Sequence, residues 1–249
     1  MCRVLLMNKQ GENEIEKIYG LKEYLAYLEK QLGGHGNGYV LVKDGKIIEF
    51  EKGVNLNVKD IAQSIKNTNY DWCIFHTRFA SMGTKCDKNC HPFIKDDIVL
   101  AMNGTERSVS FISEIREITD TEAILDTMSK YNLNLNALKH FRSIFMGLFK
   151  GKPFVVANNI MNIKILNNKK KEALVFASSF PAKFRNNIYE PLEEFIWDGE
   201  ELPKNLIKCK KIKYPSINLN NYIYHNTELY EQCHFDVLEK GGSMNDLPI

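Results

Sequence analysis

The sequence predicts one mixed α+β domain, and three observations carry that expectation. Short apolar runs of strand length alternate with stretches whose apolar residues recur every three or four positions. No internal repeat or low-complexity linker divides the chain. Its 249 residues, 44% hydrophobic and 26% charged, can bury a sizeable core.

Val4–Met7 fits a strand that begins directly after Cys2. Apolar residues at 15, 18, 21, 24, 25, 28 and 32 predict one amphipathic helix from Glu14 to Leu32, stopped by Gly33-Gly34. Four glycines in six residues follow, in Gly33-Gly34-His35-Gly36-Asn37-Gly38, and allow close backbone approach or positive φ. No phosphate-loop lysine follows them, so a nucleotide cradle is rejected. Tyr39–Val42 and Lys46–Phe50 flank Asp44-Gly45, a hairpin signal. Trp72–Thr77 and Ile98–Met102 read as buried strands. Thr119 and Glu122 have capping-box spacing ahead of a helix to about Lys130. A further helix is predicted over Leu135–Phe149 behind Asn134. Phe154–Ala157, Ile160–Leu166 and Ala173–Ser178 read as strands. The expected organisation is a single domain over 2–249, with a core of about 2–180 and an irregular extension of about 181–249. In that extension Glu228–Leu238 is read as helical and Gly241-Gly242-Ser243 as a loose tail.

A net charge of +2 gives no reason to expect nucleic acid or membrane partners. Lys169-Lys170-Lys171 and the four lysines from Lys208 to Lys213 read as solvated faces. No apolar run nears the roughly 18 residues a bilayer span requires, and Asn8, Lys9 and Gln10 interrupt any signal-peptide core. A cytoplasmic location is expected, with the six cysteines reduced.

Met1-Cys2-Arg3-Val4 is where the chemistry starts. Removal of Met1 gives Cys2 a free α-amine beside its own thiol. An α-amine titrates near 7.7–8.0, well below a lysine, so nucleophile and base can share one residue. On their own these four residues equally fit a small buried cysteine. Three later stretches change the balance: His76-Thr77-Arg78-Phe79-Ala80-Ser81-Met82-Gly83, Asn89-Cys90-His91-Pro92-Phe93, and Ala101-Met102-Asn103-Gly104-Thr105-Glu106. With Thr119-Asp120-Thr121-Glu122, in this order behind Met-Cys, the chain resembles the class II glutamine amidotransferases, a branch of the N-terminal-nucleophile hydrolases.

That resemblance implies a four-layer αββα sandwich, two antiparallel sheets between helical layers. It implies attack by Cys2 on the glutamine side-chain amide, giving a γ-glutamyl thioester, ammonia and then glutamate. Asn103 and Gly104 are implied as the oxyanion hole, Arg78 as the clamp on the substrate carboxylate, and Asp120 as the acceptor for its ammonium. Ser81 and His91 are implied as further substrate-binding residues. The expected partners are glutamine or a γ-glutamyl compound, and a separate ammonia-accepting synthetase chain. No cofactor and no metal are expected. Two departures stand out: Met102 replaces a frequent histidine, and His35, Asn37 and Tyr39 give the glycine-rich stretch an unusual composition. A γ-glutamyl amide hydrolase with another substrate, or a silent binding protein on the same fold, fits the same motifs. Cys86-x3-Cys90-His91 suggests zinc, but Cys73, Cys209, Cys233, His225 and His234 offer no paired spacing to complete it.

Overall fold

The structure is a computed structural model, which describes residues 2–81, 83–157, 163–167, 172–191, 194–200, 202 and 206–208. The predicted helix at Glu228–Leu238 and the tail at Gly241 lie outside the described residues.

Two antiparallel sheets form the centre. The larger takes β1 (Arg3–Asn8), β2 (Asn37–Lys43), β3 (Lys46–Gly53), β4 (Trp72–Thr77), β9 (Lys164–Asn167), β10 (Leu174–Ala177), β11 (Ile188–Pro191) and β13 (Leu206–Lys208). Their order is β13-β11-β9-β10-β1-β4-β2-β3. The smaller runs β12-β8-β7-β6-β5, from β12 (Phe195–Trp197), β8 (Lys152–Ala157), β7 (Ile144–Phe149), β6 (Ile98–Asn103) and β5 (Phe93–Lys95). Helices α1 (Lys9–Ile18), α2 (Leu21–Leu32) and α3 (Val58–Asn67) precede β4 in the chain, while α4 (Ser110–Arg116) and α5 (Asp120–Lys130) follow β6.

Strand alternation builds three apolar layers. Successive side chains point to opposite faces. Val4 and Leu6 of β1 therefore meet Val99, Ala101 and Met146 of the other sheet, while Leu5 and Met7 face Ile15, Tyr24, Leu25 and Ile61 of the first three helices. Likewise Leu100 and Met102 of β6 turn outward onto Ile124, Leu125 and Met128 of α5. Helix, sheet, sheet, helix is the four-layer sandwich expected.

Several local expectations change. The predicted single helix from Glu14 to Leu32 is two helices. Gly20, at φ +90, breaks it, and Leu21 N–H donates to Glu16 Oε2 at 2.7 Å. The first begins at Lys9, because Asn8 caps it by accepting from Gly11 N–H. Leu135–Phe149 is not one helix. Leu135–His140 is a short 3-10 turn capped by Asn134, and Ile144–Phe149 is a central strand paired with β6 and β8. Gly147 explains the choice: a side chain there would meet Val99 O at 1.8 Å, so the position suits close strand pairing. Helices α3 and α4 and strand β5 had no counterpart in the sequence reading. The expected irregularity after about 180 does not hold up to 208, where β11, β12 and β13 add strands to both sheets.

Candidate active site

Cys2 sits one residue ahead of β1, in the middle of the larger sheet. Arg3 pairs with Thr77, so the start of β1 lies beside the end of β4 and the Arg78–Phe79 backbone that follows it. The end of β6, in the other sheet, supplies Asn103. Cys2 N–H donates to Asn103 Oδ1 at 3.0 Å across the two sheets. This leaves the Nδ2 end of the Asn103 amide, two donors, without a partner among the described residues.

The thiol of Cys2 is held by the backbone of one residue, Phe79. It accepts from Phe79 N–H at 3.4 Å and donates to Phe79 O at 3.6 Å. Burial pushes this thiol above its ordinary range, opposed by the Phe79 N–H and by the nearby Arg78 charge, and reinforced by Asp120. The sulfur is therefore protonated at neutral pH and needs a base.

Gly104 has φ +147, and a Cβ there would lie 2.0 Å from Ser143 Oγ. Both facts demand glycine. Ser143 Oγ donates to Glu106 Oε1, which also accepts from Arg142 N–H at 2.8 Å. Glu106 N–H in turn donates to Asp120 Oδ2 at 2.9 Å, and Thr121 N–H to Asp120 Oδ1 at 2.9 Å. Thr119 caps α5, its Oγ1 accepting from Glu122 N–H at 3.1 Å. Asp120 is thus spared the capping role, though each of its oxygens already takes one backbone N–H. Burial raises the Asp120 carboxyl, opposed by those two donors.

Arg78 is 2% exposed. Its Nη1 donates to Thr84 O at 2.8 Å and its Nη2 to Gly83 O at 3.4 Å, so the loop after Ser81 wraps the guanidinium. Ser81 itself ties that loop to the next motif, its Oγ lying 2.8 Å from Thr105 Oγ1. The glycine-rich stretch closes the arrangement from behind. His35 N–H donates to Arg78 O at 2.9 Å, Arg78 N–H donates to Gly36 O at 2.8 Å, and His35 Nδ1 accepts from Ala80 N–H at 2.9 Å. The His35 ring stacks on Phe79 with centroids 4.7 Å apart.

Cys2, Arg78, Asn103 and Asp120 are brought together, with Gly104 and Ser81 on the flanking turns. His91 has different company. It is buried, its Nδ1 lies 2.8 Å from His76 Nε2, and its ring packs edge-on against Phe93. His76 Nε2 also lies 3.1 Å from Met102 O. A carbonyl only accepts, so the hydrogen belongs on His76 Nε2, with His91 Nδ1 as a second acceptor. Burial lowers His76 to about 3 and His91 well below its usual value, so both rings are neutral. His76 thus bridges from the end of β4 to Met102 of β6, and His91 packs behind it. Among the described residues, no group of three or more His, Cys, Asp or Glu is arranged to hold a metal. No helix among them is long and apolar enough to cross a membrane.

Sequence reasoning marked His35 only as an unusual residue of the glycine-rich stretch, missed Ser143 and gave Glu106 no role. Ser143 is tied to the site by its close approach to Gly104 and by its bond to Glu106, and nothing in the spacing of 104 and 143 announces it.

No family model matches the chain, and no curated protein does. Solved structures do. One is glutamine phosphoribosylpyrophosphate amidotransferase from B. subtilis, complexed with ADP and GMP. It is 17% identical with a TM-score of 0.54, over 81% of this chain and 50% of that one. Another is described as the allosteric regulatory enzyme of purine biosynthesis, 18% identical with a TM-score of 0.58, over 85% of this chain and 49% of that one. The chain thus spans about half the length of the solved chains it matches. The αββα sandwich of two antiparallel sheets is the fold this chain shares with those solved structures, one of them a glutamine amidotransferase.

Proposed function

We propose that this chain hydrolyses the side-chain amide of glutamine with Cys2 as nucleophile. The observation that supports it most is the 3.0 Å bond from Cys2 N–H to Asn103 Oδ1, with the thiol seated on the Phe79 peptide. Cleavage ahead of Cys2 converts its nitrogen into an α-amine anchored by Asn103. That amine takes the thiol proton, which burial otherwise retains. The sulfur attacks the amide carbon, and the oxyanion is met by Asn103 Nδ2 and Gly104 N–H. Ammonia leaves with the proton returned by the amine, and water then releases glutamate from the thioester. Arg78 takes the substrate carboxylate and Asp120 its ammonium.

The experiment is a glutaminase assay on chain cleaved ahead of Cys2, beside the Cys2→Ala variant and a form with an uncleaved N-terminal extension. Glutamate release by the cleaved chain alone supports the reading. Equal release by all three would overturn it.

A further inference from the structure

Cys86 and Cys90 stand outside the proposed chemistry yet sit on the loop that holds Arg78. We propose that they form a peroxide-oxidisable pair, with Cys86 the thiol that reacts first and Cys90 the thiol that resolves it into a disulfide.

The geometry carries the argument. A 3-10 turn at Asp87–Asn89 folds the chain back between the two cysteines, with Asn89 N–H donating to Cys86 O at 3.1 Å. Cys90 Sγ consequently lies 3.5 Å from Cys86 O. That oxygen is about 2.4 Å from its own Cα, so the Cys90 sulfur lies no more than about 6 Å from the Cys86 Cα. A disulfide needs the two sulfurs to meet at about 2 Å, so the Cys86 side chain must turn toward Cys90 and the short turn between them must draw in.

Exposure separates the two roles. Cys86 is partly exposed, whereas Cys2, Cys73 and Cys90 are buried. The Cys86 sulfur lies 3.4 Å from Thr84 Oγ1. Hydrogen bonds from Thr84 and the Asn89 backbone, with the Arg78 and Lys88 charges, lower its thiol. Burial raises Cys2, Cys73 and Cys90. Oxidants attack the thiolate that is both ionised and reachable, and among the described cysteines that is Cys86.

The step balances. The Cys86 thiolate attacks one peroxide oxygen, the O–O bond breaks, and the other oxygen leaves as alcohol or water after taking a proton. This makes a sulfenic acid at Cys86. The Cys90 sulfur then attacks the Cys86 sulfur, the S–O bond breaks, and water departs with the Cys90 proton. Peroxide is reduced and two thiols become one disulfide.

The consequence reaches the site from two directions. Thr84 O, two residues before Cys86, accepts from Arg78 Nη1. Gly36, whose added Cβ would meet Cys90 Sγ at 2.3 Å, accepts from Arg78 N–H. Drawing in the turn to close the pair therefore disturbs these two among the contacts of Arg78. This consequence rests on the proposed function; the disulfide itself does not.

The test is limiting hydrogen peroxide on the reduced chain, followed by tryptic mass mapping. Cleavage after Lys85 and Lys88 separates Cys86 from Cys90, so a disulfide joins two peptides that otherwise elute apart. The expected result is that joined pair, lost on adding dithiothreitol. In Cys90→Ser a dimedone adduct should accumulate at Cys86. Joined peptides with a higher glutamine KM support both links; joined peptides with unchanged KM overturn the coupling to Arg78. Absence of both the joined pair and the dimedone adduct, or oxidation of Cys2 ahead of Cys86, overturns the pair.

Discussion

The Asn103 side of the site and the Arg78 side are held by different means. Asn103 ends a fully buried strand, and Gly104 behind it is packed on Ser143, whose Oγ bonds Glu106, itself tied to Asp120 through its backbone N–H. Arg78 also follows a buried strand, but its guanidinium is held by the carbonyls of Gly83 and Thr84 on a loop. Rigid strand ends suit groups whose placement must be fixed to a fraction of an ångström for transition-state charge. Loop carbonyls suit a cation that must exchange partners when a carboxylate arrives. The comparison predicts that damage on the first side lowers kcat and damage on the second raises KM.

The largest effect is expected at Asn103. Asn103→Ala removes the oxyanion donor and the anchor of the Cys2 nitrogen, and should lower kcat about 100–1,000-fold with little change in KM. Steady-state glutamine kinetics checks it, and a KM effect alone would break the division between the two sides. Next is Arg78→Lys, which exchanges a two-donor fork for a point charge. A lost charged hydrogen bond costs about 1.5–3 kcal/mol, so KM should rise roughly 10–150-fold with kcat nearly kept. Glu106→Gln weakens the acceptor for Ser143 Oγ and Arg142 N–H, and should cost about 1 kcal/mol or more of stability in urea titration. Its kcat should fall, because Gly104 loses its backing.

The histidine pair gives a prediction in pH. His76 is held near 3 by burial and His91 is also depressed, while an unfolded histidine titrates near 6.5. Below about 6.5 the unfolded chain binds protons that the folded chain refuses, so stability present above that pH is lost on acidification. The slope is about 1.4 kcal/mol per pH unit for each ring. Urea midpoints between pH 7 and pH 5 check it, and His91→Gln should remove about half the slope. The smallest effect is at His35. His35→Phe keeps the stack on Phe79 but strips Ala80 N–H of its acceptor, and KM should rise only a few-fold, about 1 kcal/mol, with kcat nearly kept.

The strands that position the site were legible because they are short, apolar and bounded by turn residues. Trp72–Thr77 has the bounds that the sequence predicts. The residues proposed for the site come from motif order, and the fold places Cys2 just ahead of β1, Arg78 just after β4, Asn103 at the end of β6 and Asp120 at the start of α5. Ile144–Phe149 was misread because a continuous apolar run serves a buried strand and a buried helix equally well. Ser143, one residue ahead of that run, was lost with it. Gly20 was passed over because apolar spacing continues across it, although the backbone there turns to positive φ. The pairing of His91 with His76, fifteen residues upstream and at the end of a strand of the other sheet, had no signal in the motif.

Intact mass after treatment with 6-diazo-5-oxo-norleucine tests the central claim most directly, because it reports cleavage ahead of Cys2 and the reactivity of its thiol together. The account predicts loss of Met1 and one covalent adduct per chain, mapped to Cys2, slowed by glutamine and absent in Cys2→Ala. A fully cleaved chain that takes no adduct, or takes it equally in Cys2→Ala, would contradict it.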